Sequence, residues 1–314
     1  MHKNSKIYIA GHKGMVGSAI WRALKDKGYS NLIGFPSSKL DLTNQKQVED
    51  FFLTYKPEYV FLAAAKVGGI LANATYPAQF IYTNIAIATN VIHAAHKTKV
   101  KKLLFLGSSC IYPRECPQPI KEEYLLTSSL EPTNEAYAIA KIAGLKMCEF
   151  YFKEYKDNFF AVMPTNLYGP NDNFHLETSH VLPAMLRKFH EAKINNKQHV
   201  TLWGTGRPKR EFLHVDDLAE ACIFLMNLKQ DFPRLLNIGC GQDLSIKELA
   251  YKIKTIIGYN GEIIWDTSKP DGTPRKLLDI SKIKKLGWQP KIKLDKGISS
   301  TYKWFVANYN NIKE

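Results

Sequence analysis

No stretch of this 314-residue sequence approaches the roughly 18 consecutive apolar residues that a membrane-spanning helix needs. The opening segment, MHKNSKIYIAG, holds an apolar run too brief for a signal peptide. The expected setting is therefore the cytoplasm, with no membrane partner. Cysteine is sparse: Cys110, Cys116, Cys148, Cys222 and Cys240 are odd in number, scattered and without a CxxC pair, which argues against a disulfide framework and against a zinc site. Internal repeats and low-complexity tracts are missing. Acidic residues are outnumbered, 29 against 43 lysines and arginines, for a formal charge of +14. Such a field suits a polyanion of any kind, but no nucleic-acid motif accompanies it and lysines such as Lys97, Lys99, Lys101 and Lys102 read mostly as solvated surface. No nucleic-acid partner is expected.

What is present is an alternation of apolar, β-rich runs with helical patterns, the signature of a parallel sheet covered on both faces. Strands are predicted at Lys6 to Ala10, Asn31 to Phe35, Tyr59 to Ala63, Lys102 to Gly107 and Asn158 to Met163, with helices near Met15 to Lys27, Gln45 to Tyr55, Tyr82 to Thr98 and Tyr137 to Tyr155. The predicted fold class is α/β, a doubly wound Rossmann-type parallel sheet with a smaller, discontinuous α/β lobe for substrate. The pattern loosens after Gly169, then gives a basic helix near Leu182 to Lys193 and a strand at Val200 to Trp203. Glu211 to Leu228 reads as a strand and helix returning to the first domain. The predicted division is 1–170 with 211–238 for the dinucleotide domain, and 171–210 with, mainly, 239–314 for the smaller lobe.

Three glycines, Gly11, Gly14 and Gly17, follow the first strand and open the first helix. Glycine there lets the backbone turn tightly and approach a pyrophosphate, which the free N–H groups and positive dipole of the helix N-terminus stabilise. The GxxGxxG spacing, one residue wider than GxGxxG, resembles the short-chain dehydrogenase/reductase superfamily. A serine, Ser108, ends a later strand, and Tyr137 and Lys141 share one helical face at a separation of four. A phenol of pKa about 10 exchanges protons poorly at neutral pH, and a neighbouring ammonium is expected to lower it. Ser108 is expected to hold the substrate oxygen near that phenol. His93 and His96, three apart on a helix, lack nearby acidic or cysteine partners in sequence and are read as structural rather than metal ligands.

Longer segments sharpen the likeness. AAAKVGGI (63–70), GSSCIYP (107–113), EPTNEAYAIAK (131–141), MPTNLYGP (163–170), REFLHVDD (210–217) and KPDGTPRK (269–276) resemble the GDP-L-fucose synthase family across nearly the whole chain. The resemblance implies NADPH-dependent reduction of the C4 ketone of a GDP-linked 4-keto-6-deoxy sugar, with inversion at C3 and C5, by a homodimer. Inversion beside a ketone needs a base on one face and an acid on the other. Cys110 and His180 match the family's base and acid, beside the catalytic Ser108, Tyr137 and Lys141.

The same resemblance places NADP against Gly11, His12, Lys13, Gly14, Met15, Val16 and Gly17 of the turn, and against Ser37, Ser38, Asp41 and Leu42 after the second strand. Leu106, Gly107, Ser108, Ser109, Lys141, Pro164, Thr165, Asn166, Leu167 and His180 complete that set. Lys188, Trp203, Arg210 and Asp271 fall on positions that contact the GDP-sugar. One departure concerns the 2′-phosphate: the family's arginine in the glycine turn is Lys13 here, and its second arginine aligns near Ser37. Two serines and Lys39 remain to hold a phosphate, so NADP is expected over NAD. Two other readings stay open: a C4 reductase without epimerase activity on a related GDP-keto-sugar such as a heptose, and a non-enzymatic dinucleotide sensor, which would be expected to lose Tyr137 or Lys141.

Overall fold

In a computed structural model that describes residues 1–176, 178–269 and 271–312, the chain runs in alternating order from a first strand, β1 (Ile7–Ala10), into α1 (Met15–Asp26). There follow β2 (Leu32–Ile33), α2 (Gln45–Tyr55), β3 (Tyr59–Leu62), α3 (Ile70–Thr75), α4 (Pro77–Lys97), β4 (Lys102–Leu106), α5 (Glu135–Tyr155) and β5 (Phe159–Pro164). The second half adds β6 (Asn166–Tyr168), α6 (Val181–Ile194), β7 (His199–Trp203), β8 (Lys209–His214), α7 (Val215–Asn227) and β9 (Leu235–Ile238). It closes with β10 (Asp243–Ser245), α8 (Ile246–Ile257), β11 (Glu262–Asp266), β12 (Arg275–Lys276), α9 (Ser281–Lys285) and α10 (Leu294–Ile312).

Six parallel strands form the central sheet in the order β2-β1-β3-β4-β5-β9. Every residue of β1, β4 and β5 is buried, because helices cover both faces. The order reverses at β1, which sends the chain to β2 on one side and receives β3 on the other. The crevice outside the carboxyl ends of β1 and β3 is therefore the position for a ligand.

A second apolar core lies apart from the first, built from Tyr168, Phe174, Leu186, Phe189, Leu202, Phe212, Leu249, Ile253, Ile298 and Phe305. It joins α6, α8 and α10 to the strands β6, β7 and β8. Local signals fix these helices. Ser245 and Glu248 form a capping box at the start of α8, and Gly258 ends it in the left-handed conformation.

Three sequence readings change here. The helix expected from Tyr82 begins at Pro77, since proline at a first helical position has no N–H to lose. The strand expected over Asn31 to Phe35 shrinks to two residues at the sheet edge, where only Ile7 and Tyr8 offer partners. The strand read from Glu211 starts at Lys209 and lies in the second sheet, antiparallel to β10 and parallel to β6 and β12. Its helix α7 does return to the main core, as do Leu278, Ile280, Ile283 and Trp288 from beyond residue 239. Among the described residues, no helix is long and apolar enough to cross a membrane.

Candidate active site

The end of β1 and the first turn of α1 form one wall of a cleft of about 860 Å³. Gly11 has φ +80°, and a Cβ there would press on the Ala64 backbone after β3 at 2.9 Å. A Cβ on Gly17 would collide with the Gly11 carbonyl oxygen, so the turn closes only on glycine. Gly14 caps α1 without a side-chain bond, which leaves first-turn N–H groups facing the cleft. His12 packs on Trp21 at 5.6 Å, and its Nδ1 is buried with no partner among the described residues. Burial and then the Lys13 charge push that imidazole below its usual pKa.

All seven residues from Gly11 to Gly17 line the cleft, as do Ser37, Asp41, Leu42, Leu106, Gly107, Ser108, Cys110, Tyr137, Lys141, Pro164, Thr165, Asn166, Leu167 and His180. Two expected residues do not. Ser109 is buried behind Ser108, in the short turn Ser109–Ile111, and Ser38 is exposed off the wall beside Lys39. The cation on the wall at this end is Lys13 rather than Lys39. Asp41 accepts from Thr43 N at 2.9 Å and Thr43 Oγ1 at 2.7 Å, so its carboxylate is spent on a local turn.

At the other end, β4 delivers Ser108 and α5 delivers Tyr137 and Lys141. Ser108 Oγ accepts from Cys110 N at 3.2 Å, which leaves the hydroxyl proton free to donate. Lys141 is buried, donates from Nζ to the Leu106 carbonyl at 2.7 Å, and lies 4.9 Å from the Phe105 ring and 5.7 Å from the Tyr137 ring. Loss of hydration lowers its pKa to about 7. Tyr137 moves opposite to the expectation from its lysine: burial pushes the phenol above its ordinary value, the Cys110 charge adds to this, and the Ser108 hydrogen bond only partly offsets it. Desolvation is the largest of these causes. The phenol is thereby kept protonated.

His180 caps α6 with its side chain on the cleft wall, and desolvation lowers its imidazole pKa. Cys110 is half-buried on the cleft wall, near enough to Tyr137 and Arg210 that a thiolate there would act on both.

Lys188, Trp203, Arg210 and Asp271 form a second group, off the cleft wall and borne by the second lobe. Arg210 donates to the carbonyls of Lys209 at 2.8 Å and Thr273 at 2.6 Å. Asp271 accepts from Thr205 N at 2.9 Å and Thr205 Oγ1 at 2.6 Å, bonds that hold its carboxyl below the usual range. Trp203 is 63% exposed and flanked by two ammonium groups, Lys188 at 5.9 Å and Lys269 at 5.7 Å from its ring. Lys269 was missed in the sequence; its neighbour Pro270 lies outside the described residues.

The sequence reading also missed two lining segments, Ala63 to Gly68 and Asn171 to Asn173 with Thr178 and Ser179. The first was legible as chain leaving the carboxyl end of a central strand. The second carried no such signal. His93 and His96 are not without acidic neighbours: Asp157, 61 residues on, meets His96 Nδ1 at 2.6 Å, while His93 pairs with the Tyr151 hydroxyl at 2.8 Å. Separate partners suit the structural reading, and no cluster of three metal-ligating side chains occurs among the described residues.

The sequence profile of the NAD dependent epimerase/dehydratase family matches residues 7–239. A putative GDP-L-fucose synthase 2 of Arabidopsis thaliana is 60% identical over 98% of this chain and 94% of its own. The GDP-L-fucose synthase of Escherichia coli K12 is 53% identical over 98% of both chains. Among solved structures, a GDP-mannoheptose C4 reductase from Campylobacter jejuni with NADP bound superposes with a TM-score of 0.90, at 44% identity, over 98% of this chain and 99% of that one.

Proposed function

Because the chain belongs to the NAD dependent epimerase/dehydratase family, and within it to the GDP-L-fucose synthases, we propose that it converts a GDP-4-keto-6-deoxy-hexose to a GDP-L-fucose-type product. The observation that carries this reading is the presence of Ser108, Cys110, Tyr137, Lys141 and His180 around one cleft whose far wall is the glycine turn. The division that follows is a cofactor lobe on the central sheet and a sugar lobe bearing Lys188, Trp203, Arg210 and Asp271.

The cradle fits a dinucleotide pyrophosphate: Gly11 and Gly17 have no room for a side chain, and the α1 N-terminus has no cap of its own. Lys13 and Ser37 are the groups on the wall suited to a 2′-phosphate, which favours NADP over NAD. Bound in this cradle, NADPH would supply the hydride that reduces C4. Tyr137, kept protonated by burial, donates its phenolic proton to O4, and Ser108 donates a hydrogen bond to the same oxygen. Lys141, anchored on Leu106, holds a positive charge beside the phenolate left behind.

Before reduction, the C4 ketone acidifies the protons on C3 and C5. Cys110 removes each proton from one face and His180 returns one from the other, a division of labour that inversion requires. Arg210, Lys188 and Asp271 hold the GDP end, with Trp203 as an apolar wall.

A C4 reductase without epimerase activity, acting on a GDP-heptose, is the second reading, and the likeness to the Campylobacter reductase favours it. Turnover in heavy water with NADPH separates the two. The main reading requires deuterium at C3 and C5 of the product; its absence from both, with C4 reduced, leaves the reductase alone. We further propose a homodimer through α4 and α5, which expose Tyr82, Ile139 and Phe150, and a cytoplasmic setting for the reduced cysteines.

A further inference from the structure

Val67 is 65% exposed, yet the backbone on either side of it is held rigidly. Two buried carboxamides do this. Asn84 accepts from Lys66 N at 2.9 Å and donates to Lys66 O at 3.0 Å and Phe80 O at 2.8 Å. Asn73 donates to Gly68 O at 2.7 Å and Gly69 O at 3.0 Å. Lys66 is drawn aside, its Nζ bound to Gln79 Oε1 at 2.8 Å. A flexible loop that happened to carry a valine would need none of these clamps.

The clamped segment faces the reacting end of the cleft. A Cβ on Gly68 would lie 3.2 Å from Phe80 Cζ, and the Phe80 ring meets the Tyr137 ring edge-on, 6.4 Å between centroids. Val67 lines the same cavity as Ser108, Cys110 and Tyr137. An exposed apolar side chain held rigidly on the wall of a ligand-sized cleft is covered when ligand binds.

We infer that Val67 is a specificity-determining residue whose isopropyl group covers the C6 methyl of the 6-deoxy sugar while Tyr137 holds O4. This rests on the functional reading above. Of the substituents flanking C4 in such a sugar, the one at C3 is a hydroxyl and the one at C5 is a methyl. Valine offers neither donor nor acceptor, so only the methyl matches it. A sugar extended at C6 by a hydroxymethyl group brings a hydroxyl to a wall that cannot pair it.

The test compares kcat/KM for GDP-4-keto-6-deoxy-mannose with that for a GDP-4-keto-6-deoxy-heptose, in wild type and in Val67→Thr, which keeps the shape and adds a hydroxyl. The preference for the methyl sugar is expected to fall by roughly tenfold, with NADPH binding unchanged. In Val67→Ile, which adds bulk and no polar group, the heptose is expected to lose more kcat/KM than the methyl sugar. A substrate ratio moved by less than about twofold in both variants overturns the inference, as does an equal weakening of NADPH binding, which would put Val67 against the dinucleotide. Wild type that reduces neither sugar refutes the functional reading instead.

Discussion

Lys141 Nζ lies 2.7 Å from the Leu106 carbonyl oxygen and has no acidic partner among the described residues; its charge is held in a buried site by one backbone dipole and two aromatic rings. Its folded pKa of about 7 is far below the ordinary lysine value of 10.5. Between these values the unfolded chain binds more protons than the folded one, so this group's contribution makes stability rise with pH through that window. Below about pH 7 the buried ammonium is a full liability. Lys141→Met is therefore expected to abolish reduction and to stabilise the fold at pH 6, with the gain shrinking toward pH 10. Urea midpoints across pH check this; a constant difference would show that desolvation is not the source.

Tyr137→Phe removes the proton donor but keeps the ring that meets Phe80. Reduction is expected to slow by about 10²–10⁴-fold, the usual range for a positioned acid. Deuterium exchange at C3 and C5 is expected to persist, because it draws on Cys110 and His180. Mass analysis of substrate recovered from heavy water checks the separation. Full reduction by the variant would remove Tyr137 from the acid role.

Cys110→Ser exchanges a thiol for a hydroxyl that ionises far less readily, and is expected to suppress deuterium uptake more than it suppresses reduction of an already inverted ketone. His180→Gln, at the start of α6, is expected to allow proton removal without return from the opposite face, so that exchange occurs with retention. NMR of the products distinguishes the two phenotypes. Identical losses of exchange and reduction in both variants would point to a common role in binding.

How much of this was legible in the sequence follows from where the determining contacts lie. The glycine turn and the Tyr137–Lys141 pair depend on spacing within one strand-turn-helix or one helical turn, and local spacing is written in sequence. Asn171, Thr178 and Ser179 depend on where a connection crosses the cleft, which is set by partners far along the chain: Gly69 N binds Thr178 O at 3.0 Å, and Asn171 Nδ2 binds Ser18 Oγ at 3.0 Å. The His96–Asp157 pair was invisible for the same reason. The direction of the Tyr137 shift was misjudged because charge proximity shows in a YxxxK motif and burial does not. The second-sheet strand at Lys209 to His214 carried β-rich composition but no mark of which sheet would receive it.

Lys13 shares the cleft wall with Ser37, and Lys13→Ala is expected to weaken NADPH binding while leaving NADH little changed. A charge-assisted bond to phosphate contributes about 1.5–3 kcal/mol, or roughly 10- to 100-fold in affinity. Titration of both cofactors by fluorescence gives the ratio directly. Equal weakening of both would place Lys13 on the pyrophosphate, which the two share.

The glycine turn allows a sharper comparison, because its members differ in what surrounds them. A Cβ on Gly14 would meet only Gly11 O at 3.5 Å, an ordinary contact, and Gly14 has an extended φ of −72°. Gly14→Ala is therefore expected to fold normally. On Gly17 the same atom would strike the Gly11 carbonyl oxygen and carbon, which are backbone and cannot rotate away. Gly17→Ala must push α1 off β1 or open the turn, at a cost of about 1–3 kcal/mol in stability. An opened turn also withdraws the N–H groups that face the pyrophosphate, so dinucleotide affinity is expected to fall along with the unfolding midpoint. Thermal melts with and without NADP separate the effects: in Gly14→Ala the cofactor still raises the midpoint, whereas in Gly17→Ala the starting midpoint is lower and the cofactor shift is lost. Equal behaviour of the two alanine variants would mean that the tight closure of Gly17 on Gly11 does not form the cradle.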